Sequence, residues 1–422
     1  MGPFLMPEET LIPHLFRTEY QKIVAVLCKR FGFDQIEIAE DISSETFLAA
    51  AQSWPIHGLP ENPVAWLYQV AKNKAKNYLI RQGLFEKKIS PDLKLSHVPE
   101  EMQDIDLSSQ NIFDSQLQMM FAICHPSLSP EGQIGLSLRI LCGFGIEEIA
   151  DAFLTNKEVI NKRLFRAKEK LREERIAIEM PDPSAMDERH ASVLRTLYLL
   201  FSEGYYSVSQ NKNLRKELCW DAMRLCNMLI ENKETNRPES NALMALMCFH
   251  ASRFEAREDE EGELILYDEQ DKSLWDDALV SRGAQFLKNA STGNELSKYH
   301  LEAGIAYWYT VREDKKEKWE NILQLYNKLL QLHYSPIAAL NRTYALSKAN
   351  GNEEAIVEAE KLKLTENHLY HSLLGELYKQ IDKEKSLSHF RTAWDLAKSD
   401  PDKTVIRKKI YNLEKGNSKK DC

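Results

Sequence analysis

The sequence is poor in the residues that interrupt helices: 16 glycines and 15 prolines are spread through 422 residues. Nor does it hold an apolar run near the roughly 18 residues a membrane span needs, or a basic segment leading into an apolar one. Membrane spanning and secretion are therefore excluded from the reading, and a cytoplasmic protein is expected. The cysteines, at 28, 124, 142, 219, 226, 248 and 422, form no CxxC pair and no metal-ligand rhythm, so they read as scattered reduced thiols. His57, His125 and His300 lack carboxylate or cysteine partners at ligand spacing. With no nucleophile–base pair and no phosphate-cradling loop either, neither an enzyme nor a bound metal or cofactor is expected. Positive charge is scarce as well: 55 Lys and Arg stand against 64 Asp and Glu, a net charge of -9.

What remains is helical periodicity almost throughout. The expected class is all-α, with two to four domains for a chain of this length. One stretch breaks the acidic balance: residues 157–175 hold eight Lys and Arg against four Glu. Just before it, Ile146, Ile149, Ala150 and Phe153 share one helical face. Leu154, Thr155 and Asn156 make a turn with Asn156 as the cap of the next helix. On that helix Ile160, Leu164, Ala167 and Leu171 form the buried stripe. Lys162 and Arg166 lie opposite, flanked by Asn161 and Arg163, with Lys157 at the start. This is the spacing of a helix-turn-helix, whose second helix offers polar side chains to the major groove. An ordinary helical hairpin with a solvated basic face is the plainer alternative.

Two further helices stand out nearer the start. In "IAEDISSETFLAAAQSW", Asp41, Glu45 and Leu48 make one stripe with Glu40, Ser44 and Phe47 beside it, either a solvated face or a docking surface for a basic partner. In "PVAWLYQVAKNKAKNYLIRQ", Asn62 caps a helix opening on Pro63. Its polar side carries Lys72, Asn73, Lys74, Lys76, Asn77 and Arg81, suited to phosphates and unstacked bases. The adjacent Trp54, Trp66 and Tyr68 read as core or as stacking platforms.

Taken together, "AEDISSETFLAA", "AWLYQVAKNKAKNYLIR" and "EIADAFLTNKEVINKRLFRAKEKLR" resemble the extracytoplasmic-function type of RNA polymerase sigma factor, reduced to regions 2 and 4. The resemblance implies region 2 over 1–82, a linker over 83–110 and region 4 over 111–177. It implies core RNA polymerase (its β′ clamp and β flap) and promoter DNA as partners. Glu40, Asp41, Glu45, Phe47 and Leu48 would bind the polymerase. Lys72, Asn73, Lys74, Lys76, Asn77 and Arg81 would hold the -10 element, and Lys157, Asn161, Lys162, Arg163 and Arg166 would read the -35 element. Ser44 stands where the family usually has Gln, and "NYLIRQ" replaces its usual Asp-x-Leu-Arg-Arg run; both bear on promoter preference.

Beyond 177, "LYLLFSEGYYS", "YDEQDKSLWDDALV" and "LHYSPIAALNRTYAL" resemble the branch of that family with a long helical extension. Leu340 and Tyr344 recur 34 residues later as Leu374 and Tyr378, the period of tetratricopeptide repeats. The expectation is a helical domain over 185–290, then two or three repeats over 297–413 with a protein partner of their own. Residues 255–271, with nine acids and one base, read as a solvated loop or as a cover for a basic DNA-reading surface. Two other functions fit parts of the pattern: a helix-turn-helix regulator with a tetratricopeptide sensor, acting without replacing sigma, and a helical interaction scaffold.

Overall fold

The structure is a computed structural model that describes residues 8–89, 105–205, 212–257, 265 and 267–415. Among the described residues there are α-helices and short 3-10 and π turns but no strand. The all-α reading is correct. The chain divides into two compact units, Met1–Leu229 and Ile230–Cys422.

The first unit is organised by α1 (Glu8–Phe31). Its segment Ile23, Val24, Ala25, Val26, Leu27 and Cys28 is apolar on every side and buried on every side. A helix hydrophobic all round must be enclosed all round. One flank is covered by α2 (Ile36–His57) and α3 (Pro63–Ile89). The other is covered by α4 (Ser109–Ile123) and a π turn at Ser137–Leu141. At the far side of that turn Gly143 has φ +75, and a Cβ there would sit 1.7 Å from the buried Gln21 amide of α1. Only glycine lets the two backbones approach so closely. The unit continues through α5 (Pro130–Leu136), α6 (Ile146–Ala152), α7 (Lys157–Glu173), α8 (Met186–Tyr205) and α9 (Lys212–Glu231).

Two expected boundaries move. The linker expected over 83–110 is shorter, because α3 runs to Ile89 and α4 starts at Ser109 behind the cap Ser108. No proline follows Pro63 until Pro91, so nothing stops the helix near 82. Residues 90–104 of the expected linker lie outside the described residues. The second change concerns the domain expected over 185–290: α8 and α9 lie within the first compact unit instead. Their side chains satisfy backbone carbonyls of α4 and of the π turn. Ser192 donates to the Cys124 carbonyl at 2.6 Å, Arg189 to that of Phe121 at 2.6 Å and Arg224 to that of Leu141 at 2.7 Å. Thr196 donates to the buried Gln133 side chain at 2.9 Å. Buried polar groups need such partners, and here α8 and α9 supply them.

The second unit holds α10 (Pro238–Ala251), α11 (Asp277–Ala290), α12 (Lys298–Thr310), α13 (Lys316–Leu332), α14 (Pro336–Asn350), α15 (Asn352–Lys361), α16 (His368–Tyr378), α17 (Lys383–Leu396) and α18 (Asp400–Lys415). From α11 onward each helix packs on the next in chain order. Leu340 and Leu374, the pair 34 residues apart, are both buried in one core. Of the acidic run, 258–264 and 266 lie outside the described residues. Its end is bound within this unit: Asp268 accepts from the Tyr344 hydroxyl at 2.8 Å and from Lys348 at 3.0 Å. Beside it the buried Lys318 donates to the Tyr267 hydroxyl at 2.7 Å and the Val311 carbonyl at 2.8 Å. Burial pushes that ammonium down to about 8.

Gly375 is where α16 crosses α17. A Cβ there would meet three ring carbons of the fully buried Phe390 at 2.7–2.9 Å. Gly375→Ala is therefore expected to destabilise this unit by about 1–3 kcal/mol, the usual cost of overpacking a filled core. Urea unfolding followed by far-ultraviolet dichroism checks it; an unchanged midpoint would show that Phe390 yields freely.

Candidate nucleic-acid interface

The turn between α6 and α7 is built as the spacing predicts. Leu154 takes φ +48, the Thr155 amide donates to the Ala150 carbonyl at 2.9 Å, and the Asn156 side chain accepts from the Val159 amide at 2.9 Å. Ile160, Leu164, Ala167 and Leu171 are each no more than 6% exposed. That stripe fixes the rotation of α7 and turns Asn161, Lys162 and Arg166 to solvent. Phe165 joins them at 64% exposed, an apolar side chain that periodicity alone did not single out. Lys157 is exposed but ion-paired with Glu147 of α6. Arg163 folds back, its guanidinium 5.1 Å over the Phe153 ring, so it braces the turn as well as facing outward.

Lys162, Arg163, Arg166 and Lys170 line one wall of a groove of about 730 Å³, and Ser127, Ser129 and Gly132 at the start of α5 line the other. Cations facing hydroxyls and a helix start across an open groove make a seat for phosphate oxygens. Sequence spacing missed Ser127, Ser129 and Lys170, because α5 is apposed to α7 only by folding. One acid, Glu131, also lines this groove.

On α3, Asn73, Lys76, Asn77 and Arg81 are exposed, and Lys72 and Lys74 are half-buried. Lys74 pairs with Glu45 at 2.8 Å, tying α3 to α2. Trp54 is buried with its ring edge-on to Trp66 at 5.4 Å, and Tyr68 donates to Glu19. Trp54 is thus a core residue and offers no stacking platform.

On α2, Asp41, Ser44, Glu45 and Leu48 are exposed. Phe47 does not join them. It is 5% exposed, its ring 5.1 Å from Phe16 and 6.3 Å from Tyr20 of α1. A large ring one position from the stripe reaches the α1 face, and burial holds it there. Glu40 is half-buried and accepts from Lys168 of α7 at 2.8 Å, with Arg139 at 3.8 Å. Arg172, one turn beyond Lys168, pairs with Glu37 and donates to the Phe33 carbonyl at 3.1 Å. Partial burial works against the Glu37 carboxylate, but the Arg172 hydrogen bond and the Lys168 charge outweigh it and hold its pKa below the ordinary value.

Among the described residues no group of His, Cys, Asp and Glu could hold a metal ion, and no helix is long and apolar enough to cross a membrane.

A protein of Rhizobium meliloti (strain 1021), itself uncharacterized, is 31% identical over 390 residues, covering 90% of this chain and 91% of its own. The chain belongs to that protein's family. Within this family member, residues 15–84 match the sigma-70 region 2 model, and residues 189–291 match a family of unknown function, DUF6596. The ECF RNA polymerase sigma-E factor of Haemophilus influenzae is 29% identical over 160 residues, covering 37% of this chain and 83% of the relative. The RNA polymerase sigma-H factor of Pseudomonas aeruginosa is 28% identical over 158 residues, covering 36% and 79%. No solved structure matches. Region 2 and similarity to ECF sigma factors support sigma-factor function, initiation of transcription, for this chain. The unknown-function match spans α8 to α11 and so crosses the division between the two compact units.

Proposed function

We propose that this sigma factor brings core RNA polymerase to promoters through three surfaces of its first unit, and that its second unit is a partner-binding array of tetratricopeptide type. Asp41, Glu45 and Leu48 dock on a basic element of the polymerase, with Glu40 at the margin. Asn73, Lys76, Asn77 and Arg81, with Lys72 and Lys74 beside them, hold the -10 element. Asn161, Lys162 and Arg166 read the -35 element, while Lys157, Arg163 and Lys170 serve the phosphates. The observation that carries the reading is the sigma-70 region 2 match over 15–84, followed in the same compact unit by a capped helix-turn-helix with a cationic groove. The same match favours a sigma factor over a stand-alone helix-turn-helix regulator or a scaffold. The α12–α17 helix pairs and their 34-residue spacing support the repeat reading of the extension.

In-vitro transcription with purified core polymerase and a promoter library tests it. The full chain is expected to direct initiation at a restricted promoter set. Arg166→Ala is expected to lower initiation at those promoters by a base-contact increment of about 1–3 kcal/mol, or roughly 5- to 150-fold. Transcription indifferent to Arg166→Ala would reject the assignment of α7 as reader, and no polymerase-dependent initiation at all would reject the function.

A further inference from the structure

Glu37, Glu40, Asp41, Ser44, Glu45 and Leu48 lie along one stripe of α2, at intervals of three and four residues. Half of this stripe is covered and half is open. Its first turn, Glu37 and Glu40, is occupied by Lys168 and Arg172, which stand four residues apart at the end of α7. Its later turns, from Asp41 to Leu48, are exposed, Leu48 at 56%. A pair of cations at i and i+4 on a helix, lying against an acidic helix, is the chemistry by which any basic helical partner would bind α2.

We infer that α7 is a resident competitor on the polymerase-docking stripe: a basic helical partner seats first on Asp41, Glu45 and Leu48, then displaces Lys168 and Arg172 from Glu40 and Glu37, releasing the helix-turn-helix from region 2. The inference rests on the sigma-factor reading above. Two independent features of the fold fit it. The covered pairs are only partly desolvated, Lys168 and Glu40 being 14% and 17% exposed, so they exchange for equivalent cations at little net cost. The second feature is that α1, enclosed between region 2 helices and α4, holds the two regions as one body in the free chain. A protein that must reach two separate promoter elements cannot act in that closed form. Each partner is therefore recognised by a surface that the other covers, and polymerase binding is the step that frees α7 for duplex DNA.

The test uses the full chain and two readouts: affinity for core polymerase, and amide hydrogen exchange of residues 23–28, the α1 segment sealed by the closed form. Binding of polymerase to the unaltered chain is expected to accelerate exchange at 23–28. Lys168→Glu/Arg172→Glu is expected to accelerate it without polymerase and to tighten polymerase capture about tenfold, the factor that 1.4 kcal/mol sets. Adding Glu37→Lys/Glu40→Lys to that variant restores the pairs with their signs exchanged, and slow exchange is expected to return. That recovery separates a broken latch from a misfolded α7. If the reversed variant captures polymerase with unchanged affinity and unchanged exchange, the competition does not exist. If fast exchange persists in the charge-exchanged variant, the latch is equally refuted. A chain that captures no polymerase in any form instead rejects the sigma-factor reading on which the inference stands.

Discussion

Asp41→Lys/Glu45→Lys is expected to abolish capture of core RNA polymerase while leaving the chain folded. Both side chains are exposed on α2, and Glu45's partner Lys74 forms an exposed pair. Such a pair contributes at most about 1 kcal/mol to stability, so the fold survives the reversal. Binding is another matter. Two cations placed against a basic partner element replace attraction by like-charge repulsion, which costs several kcal/mol and lowers affinity by roughly a hundredfold or more. Co-purification with polymerase measures the loss, and circular dichroism confirms the fold. Undiminished capture by the double variant would remove α2 from the docking surface. Phe47→Ala gives the contrasting result: about 3–5 kcal/mol of stability is lost, because the ring is packed under Phe16 and Tyr20.

A chain stopped at Pro181 is expected to lose its folded helix-turn-helix, although the recognised segments all lie before that point. The cut strips away α8, with Val193, Leu194, Leu197, Leu200 and Phe201 all buried. At about 1.5–3 kcal/mol for each such side chain, roughly 7–15 kcal/mol of apolar burial goes with it, as much as a whole domain's stability. The carbonyls of Phe121 and Cys124, and the amide of Gln133, lose their partners as well. A chain stopped after Glu231 keeps α8 and α9 and is expected to retain a cooperative melt. Comparing the two by thermal unfolding decides the matter: equal, cooperative melts would show that α8 and α9 are appended to region 4 and do not complete it. The comparison also governs how the second unit's role is probed, since only the later cut removes that unit without dismantling the reader.

Much of the candidate interface is written in short-range pattern. The Asn156 cap, the turn at Leu154, the buried faces of α6 and α7 and the outward Lys162 and Arg166 depend on residues within a turn or two of each other. A 3.6-residue period fixes such relations before any tertiary contact forms. The same holds for the all-helical class, the Pro63 start of α3 and the 34-residue recurrence of Leu340 in Leu374.

What required the folded chain are relations between residues with no sequence register to one another. The charge pattern of α2 placed Phe47 at the edge of an exposed stripe, and the aromatic face of α1 drew it inward. Glu40 and Lys168 are 128 residues apart, as are helices built from entirely different motifs, and nothing in either segment's periodicity announces the pair. Ser127 and Ser129 face Arg166 only because α5 is laid beside α7. And α8, which the composition assigned to the extension, belongs to the first unit because the carbonyls and amides of α4 and α5 had to be satisfied there. Local pattern sets which face of each helix is apolar; which neighbour covers that face, and which charges are brought together when it does, is settled by burial and by the pairing of buried polar groups.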